Sequence, residues 1–451
     1  GCKRGEVSQP SWSDARLLGY HRRMKRVVFL LVVVAACSPS GRNQGDQPCT
    51  AGQQQCYGNQ LQTCQNGVFT TEMDCPNACD DALGCVLCVP GTGTCSGNVS
   101  HACDANGMGY TDVTCDAVEG VTCGSAGVCE GDCAPQTLGQ SYIGCEYYAT
   151  VTGNIVGNEF DFAVALANTS STPATVTIDG GALGSAMIAN VAANTLLVQK
   201  LPWQQQLKLC NDSPTPEAPC STPLTSVDVP GGGYHIRSTE PITVYQFNSL
   251  EYTVGNGDYS YTNDASLLEP TNVWRSNFYA ASWAGIAGAY PSEVAITAAQ
   301  PGTNVTITST AATDPSSSVP AIAAGTPTTK TLGAGEVLEL TSGAGDFTGT
   351  NVTSDLPIQV ISGHVCTDVP TGIAACDHVE ESMFAVDTLS ETYIVNAPQV
   401  TSLPNGKVEV IRIIATAPNT TITYNPPQAG ALTGLANAGD YLEIDNNAAE
   451  R

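Results

Sequence analysis

The chain of 451 residues carries 16 Lys and Arg against 42 Asp and Glu, a net charge of −26. A field of that sign repels phosphate and excludes nucleic acid as a partner, while 42% apolar and only 13% charged residues exclude a disordered chain. The 45 Gly, 27 Pro and 20 Cys favour many short strands and turns over long helices.

Residues 1–23 are hydrophilic and basic, with Lys3, Arg4, Arg16, Arg22 and Arg23. They read as a leader from an over-extended reading frame, with Met24 as the start. Residues 24–37, MKRVVFLLVVVAAC, have a positive beginning, an apolar stretch and small residues before a cysteine. That is a secretory signal, too short to span a bilayer as a mature helix. Its end, Val34-Ala35-Ala36-Cys37, resembles a bacterial lipoprotein signal, which implies a diacylglycerol on the Cys37 thiol and a two-chain membrane anchor. Ser38 does not resemble the Asp that retains such proteins at the inner membrane, so an outer-membrane or cell-surface location is expected. The part beyond Cys37 keeps 9 basic and 40 acidic residues, net −31. Residues 38–48 form a linker.

Residues 49–133 are expected to be a disulfide-rich stalk. Cys49, Cys56, Cys64, Cys75, Cys79 and Cys85 make one set; Cys88, Cys95, Cys103, Cys115, Cys123 and Cys129 make a second with the same first two intervals. Six cysteines allow 15 connectivities, which spacing does not choose among. Each unit is too small for an apolar core, so disulfides must supply its stability. The Cys85-Val-Leu-Cys88 spacing with His101 nearby is also compatible with zinc, but an oxidising compartment disfavours free thiolates. Cys133 and Cys145 are expected to pair and clamp the stalk to the region C-terminal to it. The stalk resembles short cysteine-rich repeats in secreted proteins of myxobacteria and their relatives.

From 134 to 451 the sequence predicts an all-β region of repeated sandwich-like units, with a propeller-like array as the other arrangement. Three pairs of β-branched runs are expected to be hairpins: 162–167 with 174–178, 293–297 with 305–308, and 410–414 with 421–424. Further matching pieces come after them, including Ile236–Val244 and Val352–Val360, each with a central proline expected to sit in a turn. The third unit lacks such a closing strand after Tyr441–Ile444, so a C-terminal truncation and an unpaired edge there are expected. Cys210 and Cys220 read as a local loop disulfide in a Pro-rich insertion.

The segments GCEYYA (144–149), YQFNSLE (245–251), TNDASLLEPTN (262–272) and GHVC…CDHVEE (363–381) resemble the IgGFc-binding protein N-terminal domain family. The likeness extends over about 146–451. It implies an extracellular binding or adhesion module, with a glycoprotein, polysaccharide or protein as partner; it leaves the ligand open.

Candidate chemistry gathers in 364–381. A Cys366–Cys376 disulfide would bring its two arms together, with His364 and His378 on either side. His364, Asp377, His378 and Glu380, with Glu381 adjacent, are then a conceivable zinc or calcium set. A buried polar network orienting the loop is the simpler reading, because the spacing matches no ligand signature. Glu251, Asn263 and Asp264 read as turn caps. No G-x-S-x-G, H-E-x-x-H or phosphate loop occurs. Two functions remain: a non-catalytic surface binding or adhesion lipoprotein with no cofactor, or a metal-assisted extracellular hydrolase using the 364–381 cluster.

Overall fold

The computed structural model describes residues 49–210, 220, 224–260, 262–286, 289–372, 376–395, 409–428 and 430–446. The signal segment, Cys37 and the 38–48 linker lie outside them. Among the described residues the regular structure is almost wholly β, with one four-residue α-helix, Gln205–Lys208, three single-turn 3-10 helices, and no helix long and apolar enough to cross a membrane.

Both stalk repeats fold as a three-stranded antiparallel sheet: Gln54–Tyr57, Gln60–Gln65 and Val68–Asp74, then Gly93–Ser96, Val99–Cys103 and Tyr110–Thr114. Their disulfides repeat the same connectivity. Cys49–Cys64, Cys56–Cys79 and Cys75–Cys85 correspond to Cys88–Cys103, Cys95–Cys123 and Cys115–Cys129. Beside these cysteines few apolar side chains are buried, Leu61, Val86 and Val121 among them. Cys133–Cys145 ties the stalk to the β-region, where Asp116 also meets Arg237 at 3.2 Å.

The β-region is built twice on one plan. In the first unit the 15-residue strand Tyr234–Asn248 belongs to two sheets. Its first half pairs with Ala174–Gly180 and Gly144–Ala149; its second half pairs with Phe162–Asn168 and Asp264–Leu267. Met187–Val191 and Thr195–Leu201 complete the two sheets. The second unit repeats the plan around the 17-residue strand Asn351–Thr367, whose partners form one eight-stranded sheet. Its first half takes Thr303–Thr308 and Arg275–Tyr279, its second half Ser292–Ala298 and Asp377–Ser382. Thr328–Leu332 ends the sheet on one side, and on the other Val337–Ser342 is followed by Val227–Val229.

This corrects the expected hairpins. Phe162–Asn168 and Ala174–Gly180 are consecutive in sequence but pair with different halves of Tyr234–Asn248 and not with each other, and Ser292–Ala298 and Thr303–Thr308 likewise pair with different halves of Asn351–Thr367. Val164 and Val176 are both fully buried in one core. The Pro-containing pieces are likewise not turns. Pro241 and Pro357 sit inside the long strands at the step where these leave one partner for the next, between Ser238 and Thr243 and between Ser354 and Ile358. Proline lacks an N–H, so it is tolerated where no ladder bond is required.

Two apolar cores result. Phe160, Phe162, Leu166, Ile178, Tyr234 and Ile236 fill the first; Phe278, Ile296, Val305, Ile307, Phe347 and Val352 fill the second. Each such side chain contributes roughly 1.5–3 kcal/mol on burial. Ala295, Val337 and Ile361 of the second unit pack into the first core, so the units abut. Beyond them, Glu409–Ile414 pairs with Tyr441–Asn446, and Thr420–Thr421 with Gly434–Leu435. Among the described residues Tyr441–Asn446 pairs on one side only.

Candidate functional site

The alternation of Asp377–Ser382 decides which side chains the 364–381 segment turns inward. Successive residues of a strand face opposite sides. Asp377 and Glu381 turn outward, while His378, Glu380 and Ser382 are buried. The structure therefore brings His378 and Glu380 together and leaves Asp377 and Glu381 outside. His364 also stands apart, since it pairs in register with Val379 on the other face. Its Nε2–H donates to the Ala284 carbonyl at 3.2 Å and its Nδ1 accepts from the Cys366 N–H at 3.1 Å. Burial holds its pKa down to about 4, with the nearby His378 adding to the effect. Cys366 and Cys376 are bonded, as are Cys210 and Cys220. The two histidines do not face each other across the bridge: a sheet keeps alternate residues on opposite faces whatever a disulfide does at its end.

His378 and Glu380 instead enter the junction between the two units. The first unit sends the segment Thr150–Asn154 and the strand residues Gln246, Asn248 and Ser266 against them. Glu380 Oε1 accepts from Gln246 Nε2 at 3.0 Å and Ser266 Oγ at 3.1 Å, and Oε2 accepts from Thr152 Oγ1 at 2.7 Å and Asn248 Nδ2 at 3.3 Å. His378 Nε2 lies 3.1 Å from Asn248 Nδ2. Alongside, Thr150 and Thr297 join their hydroxyls at 2.8 Å, and Gln359 donates to the Tyr148 carbonyl at 3.0 Å.

Two glutamates that the sequence did not single out complete the cluster. Glu293 and Glu339 are 1% and 0% exposed. Glu293, Gly363 and Glu380 are adjacent in register on three neighbouring strands, so the two glutamates flank a residue with no side chain. Glu339 lies one register step away, opposite Ala295. Its Oε1 accepts the Gly153 N–H at 2.8 Å. Burial pushes both carboxyls well above their ordinary 4.5, and for Glu293 the Glu339 charge adds to the shift. The signal for them was a charged residue at an inward position of an apolar strand, as in Ser292-Glu-Val-Ala-Ile.

The other polar set does not assemble. Asp264 caps Ala265 at 2.8 Å and also accepts the Glu380 N–H at 2.9 Å, whereas Glu251 turns away to Lys200 and the Asp161 N–H. Among the described residues no three His, Cys, Asp or Glu side chains converge to hold a metal ion. A cleft of about 330 Å³ lined by Trp283, Gly363, Val379 and Glu381 adjoins the 364–381 segment, and one of about 860 Å³ lies between the second unit and the 409–446 pairs, lined by Thr310, Asp346, Leu435, Asp440 and Tyr441. Arg412 stands at its side, 3.8 Å from the Trp283 ring, 4.8 Å from the Tyr441 ring and 2.8 Å from Asp346.

No curated protein and no solved structure matches the chain. Residues 264–450 match the family model described as IgGFc binding protein. The match begins with the first unit's last strand, takes in the second unit from Arg275 onward and the 409–446 pairs, and leaves the stalk and the segments 144–149 and 245–251 outside it.

Proposed function

We propose that the chain is an extracellular, non-catalytic binding module that a lipid on Cys37 holds at the cell surface and a disulfide stalk lifts away from it. The observation that carries the reading is the place of the histidine–carboxylate cluster. His378, Glu380, Glu293 and Glu339 are sealed inside the junction of the two units and bonded to its backbone and amides, where a substrate does not reach them. The surfaces left for a partner are loops and the cleft beside Arg412, which lies within the span matching a binding family. Nine disulfides among the described residues agree with an oxidising, extracellular setting. The 409–446 pairs repeat the first half of the unit plan, which supports three related units along 134–451. An extracellular glycoprotein, polysaccharide or protein is the ligand class, a reading that the match to a binding family supports.

The test is a titration of residues 49–451 over immobilised mucin-type glycoprotein, neutral polysaccharide and immunoglobulin Fc. Saturable binding to any of the three supports the reading. Binding to none of them, together with zinc-dependent cleavage of ester or peptide substrates, overturns it. The anchor is tested separately by expression from Met24 with a fatty-acid probe, where label persisting in Cys37→Ala refutes lipidation.

A further inference from the structure

We propose that Glu293 and Glu339, neighbours on the face that the second unit turns to the first, share a proton at the junction, and that this acid pair makes the junction loosen as the pH rises. Hydrogen-bond donors are unevenly spread over the three buried carboxyls. Four donors converge on Glu380, while Glu293 and Glu339 have only the Gly153 N–H between them, 2.8 Å from Glu339 Oε1. Glu339 Oε2 is without a donor, and the two glutamates are diagonal neighbours on one face of adjacent strands, with both carboxyls against Gly153. Two buried carboxylates cannot both stay ionised side by side without a counter-charge. One proton between them removes the repulsion and gives the orphaned oxygens a partner.

Among the described residues the one titratable nitrogen facing the carboxyls is that of His378, whose Nδ1 and Nε2 lie 3.9 Å from Glu293 and 3.6 Å from Glu380, beyond hydrogen-bond distance. Gln246, Asn248, Thr150, Thr152 and Ser266 are neutral. On the strand 377–382, Glu381 turns outward. Asp264, on the neighbouring strand, adds a further carboxyl whose pKa burial raises. His364 of the long strand lies on the far face. Lys208, whose carbonyl accepts the Asn154 N–H, gives its ammonium to the carbonyls of Val156 and Cys210. Among the described residues no Lys or Arg bonds to Glu293, Glu339 or Glu380.

The sign comes from linkage. A carboxyl that keeps its proton in the closed state but has its ordinary pKa of 4.5 in the open state contributes fully below 4.5. Its contribution is lost as pH rises toward the closed-state value. The opening equilibrium should therefore rise about tenfold per pH unit in that range.

The experiment measures stability of the oxidised chain 49–451 by denaturant unfolding from pH 6 to 9, for the native protein, Glu293→Gln and Glu339→Gln. Gln keeps a neutral donor and acceptor, so either variant should lose the alkaline decline. A decline of native steepness in both variants overturns the proposal. If neither variant folds, hydrogen exchange of the native chain decides: protection of 149–154 and 292–298, corrected for intrinsic rates, should drop about tenfold per pH unit, and unchanged protection overturns it. A midpoint that chelator lowers and calcium or zinc restores in the native chain shows a cation in the proton's place, and also overturns it.

Discussion

Gly153 presses against Glu293 so closely that a Cβ on it would meet Glu293 Oε2 at 2.5 Å and Val365 Cγ2 at 2.7 Å. That approach is what lets the Gly153 N–H reach Glu339. Gly153→Ala should therefore destabilise the junction by roughly 1–3 kcal/mol through overpacking, read as a lower denaturant midpoint. Gly302→Ala is not a fair control because Gly302 has a positive φ; Gly184→Ala is, since a Cβ there meets nothing within 4 Å. Equal losses at Gly153 and Gly184 would refute the packing account.

Arg412 holds the 409–446 pairs against the second unit. It stacks on Trp283, bonds Asp346 and Glu443, and donates to Thr348 Oγ1 at 2.7 Å. Stacking and charged hydrogen bonds of this kind are worth roughly 2–4 kcal/mol together. Arg412→Ala should raise proteolytic cleavage within 409–446 while the two cores remain folded. An unchanged cleavage rate would show that the contact does not secure the segment.

His364 predicts a pH dependence opposite in sign to the acid pair. Its folded pKa of about 4 lies below its ordinary 6.5, so the unfolded chain takes up the proton first. Its contribution to stability is full above pH 6.5 and falls as the pH drops toward 4, by up to about 3 kcal/mol. Imidazole NMR signals should show His364 neutral at pH 5. A titration midpoint near 6.5 would contradict its burial.

The stalk should melt on its own when its bridges are lost. Cys95→Ser with Cys123→Ser removes one of three disulfides from a repeat with almost no apolar core, a loss of roughly 2–5 kcal/mol. Chemical-shift dispersion should disappear over 88–129 and persist in the two sandwich units. Dispersion retained in both places would show that the apolar contacts of the stalk suffice.

Much of this arrangement is legible in the residues alone, and the limits have physical causes. The paired six-cysteine sets are visible, but not which cysteine bonds which, because sulfur positions depend on the folded sheet. The strands of 162–168 and 292–298 are visible from their residues, but not their partners. In Asp377–Ser382 the period-2 rule already separates His378 and Glu380 from Asp377 and Glu381, and applying it would have removed Asp377 from the suggested ligands. Glu293 and Glu339 stand inside strands, where their charge at inward positions was the available sign.

By itself the sequence determined an acidic, nearly all-β chain with a disulfide-rich stalk and repeated units. Charge, cysteine spacing and alternation are carried by local residues and need no partner strand to be read. Only the tertiary structure decided that consecutive strands pair with different halves of one long strand rather than with each other, that Pro241 and Pro357 mark the step between those halves, and that Glu293, Glu339, His378 and Glu380 meet at one junction. Those outcomes depend on which distant surfaces exclude water together, and burial is a property of the assembled pair rather than of either segment.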